Sequence, residues 1–398
     1  MKLILADDQF RDLLLPFVFI RPCADIRCGI LTLRQKWEHV LGFSGSGSLV
    51  PHYLQACYPS EAEGECLVVN GRWLPDEGAA ALVGALPAGS QLVWKDVLLA
   101  ARLHADQLMD IEMIRPLAGP ETVHYAGTPV MIVRPWDIFT LNSGAIEDDF
   151  NRLTAGRKSA AVSESNRVMN SSRVFLEEGA KVECSILNAS SGPIYLGRDS
   201  EVMEGSMIRG PFSLGKDGVI KMGAKIYGAT TIGPGAKAGG EISNSVIFGN
   251  SNKAHDGYLG NSVIGEWCNL GADTNNSNLK NNYSEVRVWS YAERANVNTG
   301  LQFCGLFMGD HSKCGINTMF NTGTVVGVFA NIFGAGFPAK HLPSFTWGMD
   351  EGGERFLLDK ALELAERVMA RRNVKLTDVG RELISHLYLM QLRPHAED

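Results

Sequence analysis

The chain has 398 residues, 45% hydrophobic and 20% charged, which points to a globular protein of two or three domains rather than a disordered or fibrous one. Its formal net charge of −7 argues against non-specific binding to nucleic acid or to an anionic membrane surface. No apolar run reaches membrane-spanning length, the eight cysteines form no CxxC pair, and Asp7, Asp8 and Arg11 interrupt the apolar start too early for a signal peptide, so a cytoplasmic protein with reduced thiols is expected.

Residues 1–157 read as an α/β domain. Short apolar runs predict strands over 3–5, 65–70 and 91–94, and the spacing predicts helices over 29–37, 96–108 and 137–153. Residues 158–172 are polar and weakly patterned, and are read as a linker.

From there the pattern changes. Leu196, Val202, Ile208, Leu214, Ile220, Ile226, Ile232 and Ala238 follow one another every sixth residue. Helices repeat at three and four and half-buried strands at two, so a period of six identifies a hexapeptide parallel β-helix, assigned to 173–345. Each hexad supplies one flat face and points its anchor into a prism. Leu176 and Val182 are out of phase, which predicts a transition of about a dozen residues after Val182. The register returns at Tyr258, Ile264 and Leu270, and again at Met308, Cys314, Phe320, Val326 and Ile332. A polar excursion over 275–283 breaks it. Residues 346–398 have helical spacing over 354–371 and 378–392, and are expected to close the last coil or lie across a neighbouring subunit.

The richest segment runs from Lys253-Ala254-His255 through Tyr258-Leu259-Gly260-Asn261 and Ile264-Gly265 to Asn269-Leu270-Gly271-Ala272 and Asn278. It resembles the acetyltransferase domain of the bifunctional N-acetylglucosamine-1-phosphate uridylyltransferase/glucosamine-1-phosphate acetyltransferase family. That family carries Lys-Ala-Gly-His-x-x-Tyr-Leu-Gly-Asp-x-x-Ile-Gly-x-x-x-Asn-Ile-Gly-Ala-Gly-x-x-x-x-Asn-Tyr. The resemblance implies a left-handed prism, with His255 as general base and Asn278 near the reacting amine. It implies Tyr258 and Asn269 as contacts of the sugar phosphate, with Lys253 beside them and Lys225 near the family's phosphate-binding arginine. Ala272 falls on the coenzyme A side, and the Gly336-Phe337-Pro338-Ala339-Lys340 turn resembles one near which coenzyme A phosphates lie. The other reading of that turn is a Gly-Pro stop to the solenoid with a solvated Lys340. Departures include Leu279 for the pattern's Tyr, Asp273 for its Gly, and a shortened Lys-Ala-His, so the acceptor is open among amino sugar phosphates.

The chemistry implied is acyl transfer from acetyl-coenzyme A. An amine attacks a thioester only when unprotonated, so a histidine base suits it, and orientation supplies much of the rate. Without its motif, His255 would read as a residue that merely closes a turn. His255, His311 and His341 are too dispersed for the spacing of a zinc-binding hydratase on the same prism.

The amino terminus resembles sugar-phosphate nucleotidylyltransferases. A strand leads into Ala6-Asp7-Asp8-Gln9-Phe10-Arg11, then Leu15-Pro16 and Arg21-Pro22, and Asn70-Gly71-Arg72 is similar to the family's Asn-Gly-Asp turn. The resemblance implies UTP and Mg²⁺ there, with Arg11, Arg21, Asp25 and Arg27 as nucleotide contacts. The glycines that let a backbone approach phosphate are missing, and Asp7-Asp8 would repel it without a cation. A surface salt-bridge network is the alternative reading of these residues. The expected molecule is a homotrimeric acetyltransferase with a nucleotidylyltransferase-like domain; the rival is a regulatory or scaffolding protein with nucleotide-sugar-binding modules.

Overall fold

The structure is a computed structural model that describes residues 1–108 and 112–392. It divides into two compact units: Met1–Ile26, Leu31–Arg134 and Thr377–His386 form one, and Arg27–Ile30, Pro135–Leu376 and the chain from Leu387 form the other.

The first unit is built on a six-stranded mixed sheet. In chain order its strands are β1 (Lys2–Ala6), β2 (Gly47–Leu49), β3 (Glu65–Asn70), β4 (Ser90–Trp94), β5 (Val97–His104) and β6 (Glu121–His124), arranged β2-β1-β3-β5-β4-β6. β1 pairs in parallel with both β2 and β3, while β5 runs antiparallel between β3 and β4. One face of the sheet packs Leu3, Leu5, Val69 and Leu99 against Trp37 of helix α1 (Leu33–Leu41); the short helix α2 (His52–Gln55) follows, and Ala79 and Val83 of α3 (Glu77–Gly84) join the same core. The opposite face buries Ile4, Val68, Leu98 and Ala101.

Two predicted elements move. The first helix starts at Leu33 rather than residue 29, because Thr32 caps it reciprocally with Gln35. The segment predicted as a helix over 96–108 is instead strand β5. It follows a tight turn with Lys95 at φ +55°, and Val97 to Ala101 are buried on both faces of the sheet. A strand covered on both faces shows no alternation, so its Leu/Ala-rich run imitates a helix.

The second unit opens with α4 (Asp137–Thr140) and α5 (Asn142–Thr154), and then the chain winds into a left-handed parallel β-helix of three faces. The first face stacks strands from Arg167–Met169 to Tyr258–Gly260; the second from Val174–Leu176 to His341–Leu342; the third from Lys181–Val182 to Glu354–Arg355. All eight hexad anchors lie in one core that fills the prism. The expected linker is no linker: Arg167–Met169 is the lowest strand of the first face, Val162 packs on the core, and Ala160 donates to the Leu176 carbonyl. Nor is there a transition after Val182, since Leu187 anchors an ordinary strand there. At the return of the register the inward residue is Leu259, so Tyr258 faces out.

The excursion is longer than expected. It carries an antiparallel hairpin, Arg287–Ser290 with Ala295–Asn298, whose Trp289 stacks on His341 with ring centroids 4.6 Å apart. α5 covers the second face through Ile146 and Phe150, which meet Phe175 and Tyr195. Helix α6 (Leu358–Ala370) runs along the third face, where Arg372 bonds Asn252, and α7 (Asp378–Leu392) ends the described chain. Within this unit the first face is covered by neither α5 nor α6. Among the described residues no helix is long and apolar enough to cross a membrane.

Candidate functional site

The corner between the third and first faces, just after Asn252–Lys253, carries His255 with its side chain exposed. The corner is tightly determined. Gly257 sits at φ +108°, and a Cβ there would fall 2.2 Å from the Thr274 carbonyl oxygen, so the turn after His255 requires glycine. Lys253 occupies what should be an apolar anchor, in register with Ala238 below and Leu270 above. It is 2% exposed, and its ammonium donates to the carbonyls of Gly239 (3.0 Å), His255 (2.5 Å) and Asp256 (3.2 Å). Burial pulls its pKa down to about 8. The expected substrate contact is therefore corrected: Lys253 points into the prism, where its three donors fasten the corner from behind.

Beyond that corner Tyr258 and Asn278 meet. The Asn278 amide donates to the Tyr258 hydroxyl at 3.0 Å and to Asn261 Oδ1 at 2.8 Å. Asn275 and Asn276 accept from the backbone N–H groups of Tyr258 and Gly260, tying the start of the excursion to this strand. Burial raises the Tyr258 pKa, against the pull of the Asn278 bond, so its hydroxyl stays protonated at neutral pH. Lys225 lies in the same outward column, through Glu241: Lys225 pairs with Glu241 and Glu241 with Tyr258. Two strand spacings put Lys225 roughly 9–10 Å from Tyr258. Ala272 stands in register one coil from His255, since Asn269 pairs with Asn252. Asn275 and Asn276 are not among the residues expected from the sequence, although the asparagine-rich start of the excursion was the available signal.

Other expected residues lie elsewhere. Asn269 belongs to the third face, beside α6, and does not join His255 because the intervening corner turns the chain through one face of the prism. Lys340 is exposed, and its pKa is lowered by partial burial and by the like charge of Lys280. His311 is a core residue, stacked on Phe329 with centroids 4.6 Å apart, and His341 bonds Glu351. Among the described residues no group of three or more His, Cys, Asp or Glu side chains is arranged to hold a metal ion.

At the amino terminus the expected nucleotide contacts have partners within the protein. Arg11 is buried and gives Nε to Asp7 at 2.9 Å, Nη1 to Asp12 and Nη2 to the Val18 carbonyl. Asp8 receives Arg72 through Nε (2.8 Å) and Nη2 (2.6 Å), and also Asn70 at 2.8 Å. Asp25 pairs with Arg34 at 2.5 Å, Arg21 is buried, and Arg27 donates to the Ile30 carbonyl. The alternative, an ion-pair network, is what the molecule contains, and it is buried rather than on the surface. Asp7 and Asp8 are neutralised from within by arginines, so they do not fit a Mg²⁺ site. Burial raises the Asp7 pKa despite its arginine.

A sugar nucleotidyl transferase family model matches residues 3–158. A bifunctional sugar-1-phosphate nucleotidylyltransferase/acetyltransferase of Sulfurisphaera tokodaii is 30% identical over 215 residues, which are 54% of this chain and 47% of that protein. A bifunctional protein GlmU of Methanocaldococcus jannaschii is 36% identical over 87 residues, 22% of this chain and 21% of that one. An uncharacterized acetyltransferase, YaiX, of Escherichia coli is 31% identical over 166 residues, covering 41% of this chain and 71% of its own length. The chain belongs to one family with the acetyltransferase YaiX, and its amino-terminal part matches the sugar nucleotidyl transferase model. It spans about half the length of the first of these relatives and about a fifth of the second. Along the chain a nucleotidylyltransferase-like sheet is thus followed by a parallel β-helix.

Proposed function

We propose that this protein transfers an acetyl group from acetyl-coenzyme A to the amine of an amino sugar phosphate such as glucosamine 1-phosphate. The observation that carries the reading is the meeting of Tyr258 and Asn278 next to the corner that presents His255. In this reading the acceptor amine lies against His255, whose imidazole takes a proton as the nitrogen forms its bond to the thioester carbonyl carbon. The C–S bond then breaks, and the thiolate of coenzyme A leaves and is protonated. Tyr258 and Asn278 hold the sugar, and Lys225 supplies a point charge for its phosphate. Lys340, beside Lys280, supplies positive charge for the phosphates of the donor. The amine is oriented rather than covalently activated, so positioning provides much of the acceleration.

A threefold assembly completes the site. A single prism wall is flat, and the first face bears Ile186, Met207 and Tyr227 at 37%, 44% and 39% exposure along a groove that ends near Lys225. Symmetric copies would cover that face and provide the second wall. For the amino-terminal unit the buried Asp7–Arg11 and Asp8–Arg72 pairs favour the second reading, a nucleotide-sugar-binding or scaffolding module without nucleotidyl transfer. The test is a screen of the purified chain with acetyl-coenzyme A against several amino sugar phosphates, following free thiol, with light scattering for the trimer. A parallel assay follows pyrophosphate from UTP, Mg²⁺ and N-acetylglucosamine 1-phosphate. Acceptor-dependent thiol supports the proposal, and its absence with every acceptor refutes it.

A further inference from the structure

A second polar cavity, of about 330 Å³, lies within the prism unit between the third face and the end of α6. Its floor is the outward column of that face, in which Lys237 pairs with Asn252, Asn252 with Asn269, and Asn269 with Lys313. Its roof is Val368, Arg371 and Arg372. Four cationic side chains therefore face one small volume in a chain whose net charge is −7, and none of the described residues lining the cavity is acidic.

The cations are poorly compensated. Arg372 reaches Asn252 Oδ1 at 3.2 Å, and Lys313 donates to the His311 carbonyl at 2.8 Å. The side chains of Arg371 and Lys237 make no hydrogen bond or ion pair among the described residues. Burial, and then the like charges of Arg372, Lys221 and Arg371, lower the pKa of Lys237; burial takes Lys313 to about 8. The carbonyl end of α6 attracts cations, but a helix end offers only about half a charge, which does not balance four. Like charges brought together without a counterion cost stability, and such an arrangement is kept where a ligand supplies the missing charge.

We infer that this cavity binds the phosphoryl group of a small molecule, held by Lys237, Lys313, Arg371 and Arg372, with Asn252 and Asn269 as neutral donors and Trp267 as an apolar wall. Arginine pairs match phosphate oxygens in a bidentate fork, and the volume is at the lower end for small-molecule sites. The site is separate from the corner that presents His255 and does not depend on the acetyl-transfer reading. It also gives Asn269 a place that the His255 site does not.

The test measures binding to the full chain by calorimetry at constant ionic strength set with chloride. The probes are inorganic phosphate, glucosamine 1-phosphate, coenzyme A and dephospho-coenzyme A. The wild-type chain should bind at least one of them, and the tightest identifies the source: the free ion, a sugar phosphate, or the 3′-phosphate of the cofactor. The Lys237→Gln/Arg371→Gln double variant should bind that probe at least about tenfold more weakly, the scale of lost charge-assisted hydrogen bonds. Without ligand the double variant should melt at the same temperature as wild type or higher, because repulsion is relieved; a purely structural role would lower it. His255→Ala should leave this binding intact, which separates the inference from the acetyl-transfer reading. No binding beyond chloride in wild type, equal binding by the double variant, or a lower melting temperature of the unliganded variant would overturn it.

Discussion

Lys253 donates from inside the prism to the backbone carbonyl of His255, at 2.5 Å. A lysine at an anchor position thus fixes the corner on which the proposed base stands. Lys253→Met keeps the shape and removes the donors, stranding three carbonyls. We expect a loss of about 1–3 kcal/mol of stability. We also expect acetyl transfer to fall by roughly 10- to 100-fold, as for a base displaced by a fraction of an ångström. Unchanged turnover would show that the corner holds without it.

The same residue has a pH signature. Its folded-state pKa is about 8, below the ordinary 10.5, so between those values the unfolded chain binds more protons than the folded one. Stability contributed by Lys253 therefore rises with pH across that window. Denaturant unfolding of wild type and Lys253→Met from pH 7.5 to 10 should show wild type gaining on the variant. Comparing the two removes the opposing contributions of the buried cysteines and tyrosines.

Tyr258 and Asn278 should behave as a unit. Tyr258→Phe removes the hydroxyl that receives the Asn278 amide. Each single variant should lose activity, and the double variant less than their product, with a coupling of about 0.5–3 kcal/mol. Additive effects would mean that the bond plays no part in holding the acceptor.

Much of this was legible in the sequence because the prism writes its core at a fixed period. Ile220 is fully buried and Lys221 is not, as the hexads predict. Ile220→Asp should abolish soluble expression, since the carboxylate would have no partner, while Lys221→Glu should be tolerated. Legibility failed where coils change length. The coil from Ile247 to Ile264 is one residue shorter than the regular coil from Leu214 to Ile232, with only five residues from Leu259 to Ile264, which put Tyr258 rather than Leu259 at the anchor. The basic cavity was invisible for a related reason: the excursion separates Asn269 from Lys313 along the chain, and α6 arrives from far downstream. At the amino terminus, Asp7, Asp8, Arg11 and Arg72 carry equal and opposite charges, and only the fold shows that they satisfy one another.

Those buried pairs yield a stability prediction. Arg72→Met leaves Asp8 buried without its cation and should cost about 3–5 kcal/mol. Chemical denaturation of the full chain checks it. A change under 1 kcal/mol, on the scale of an exposed pair, would mean that water reaches Asp8.

The central claim is tested most directly by free thiol released from acetyl-coenzyme A with glucosamine 1-phosphate, comparing wild type with His255→Ala. The account predicts acceptor-dependent release by wild type, about 10²-fold or more slower in the variant, with superimposable melting curves because His255 is exposed and anchors no coil. Equal release by the two proteins would contradict it.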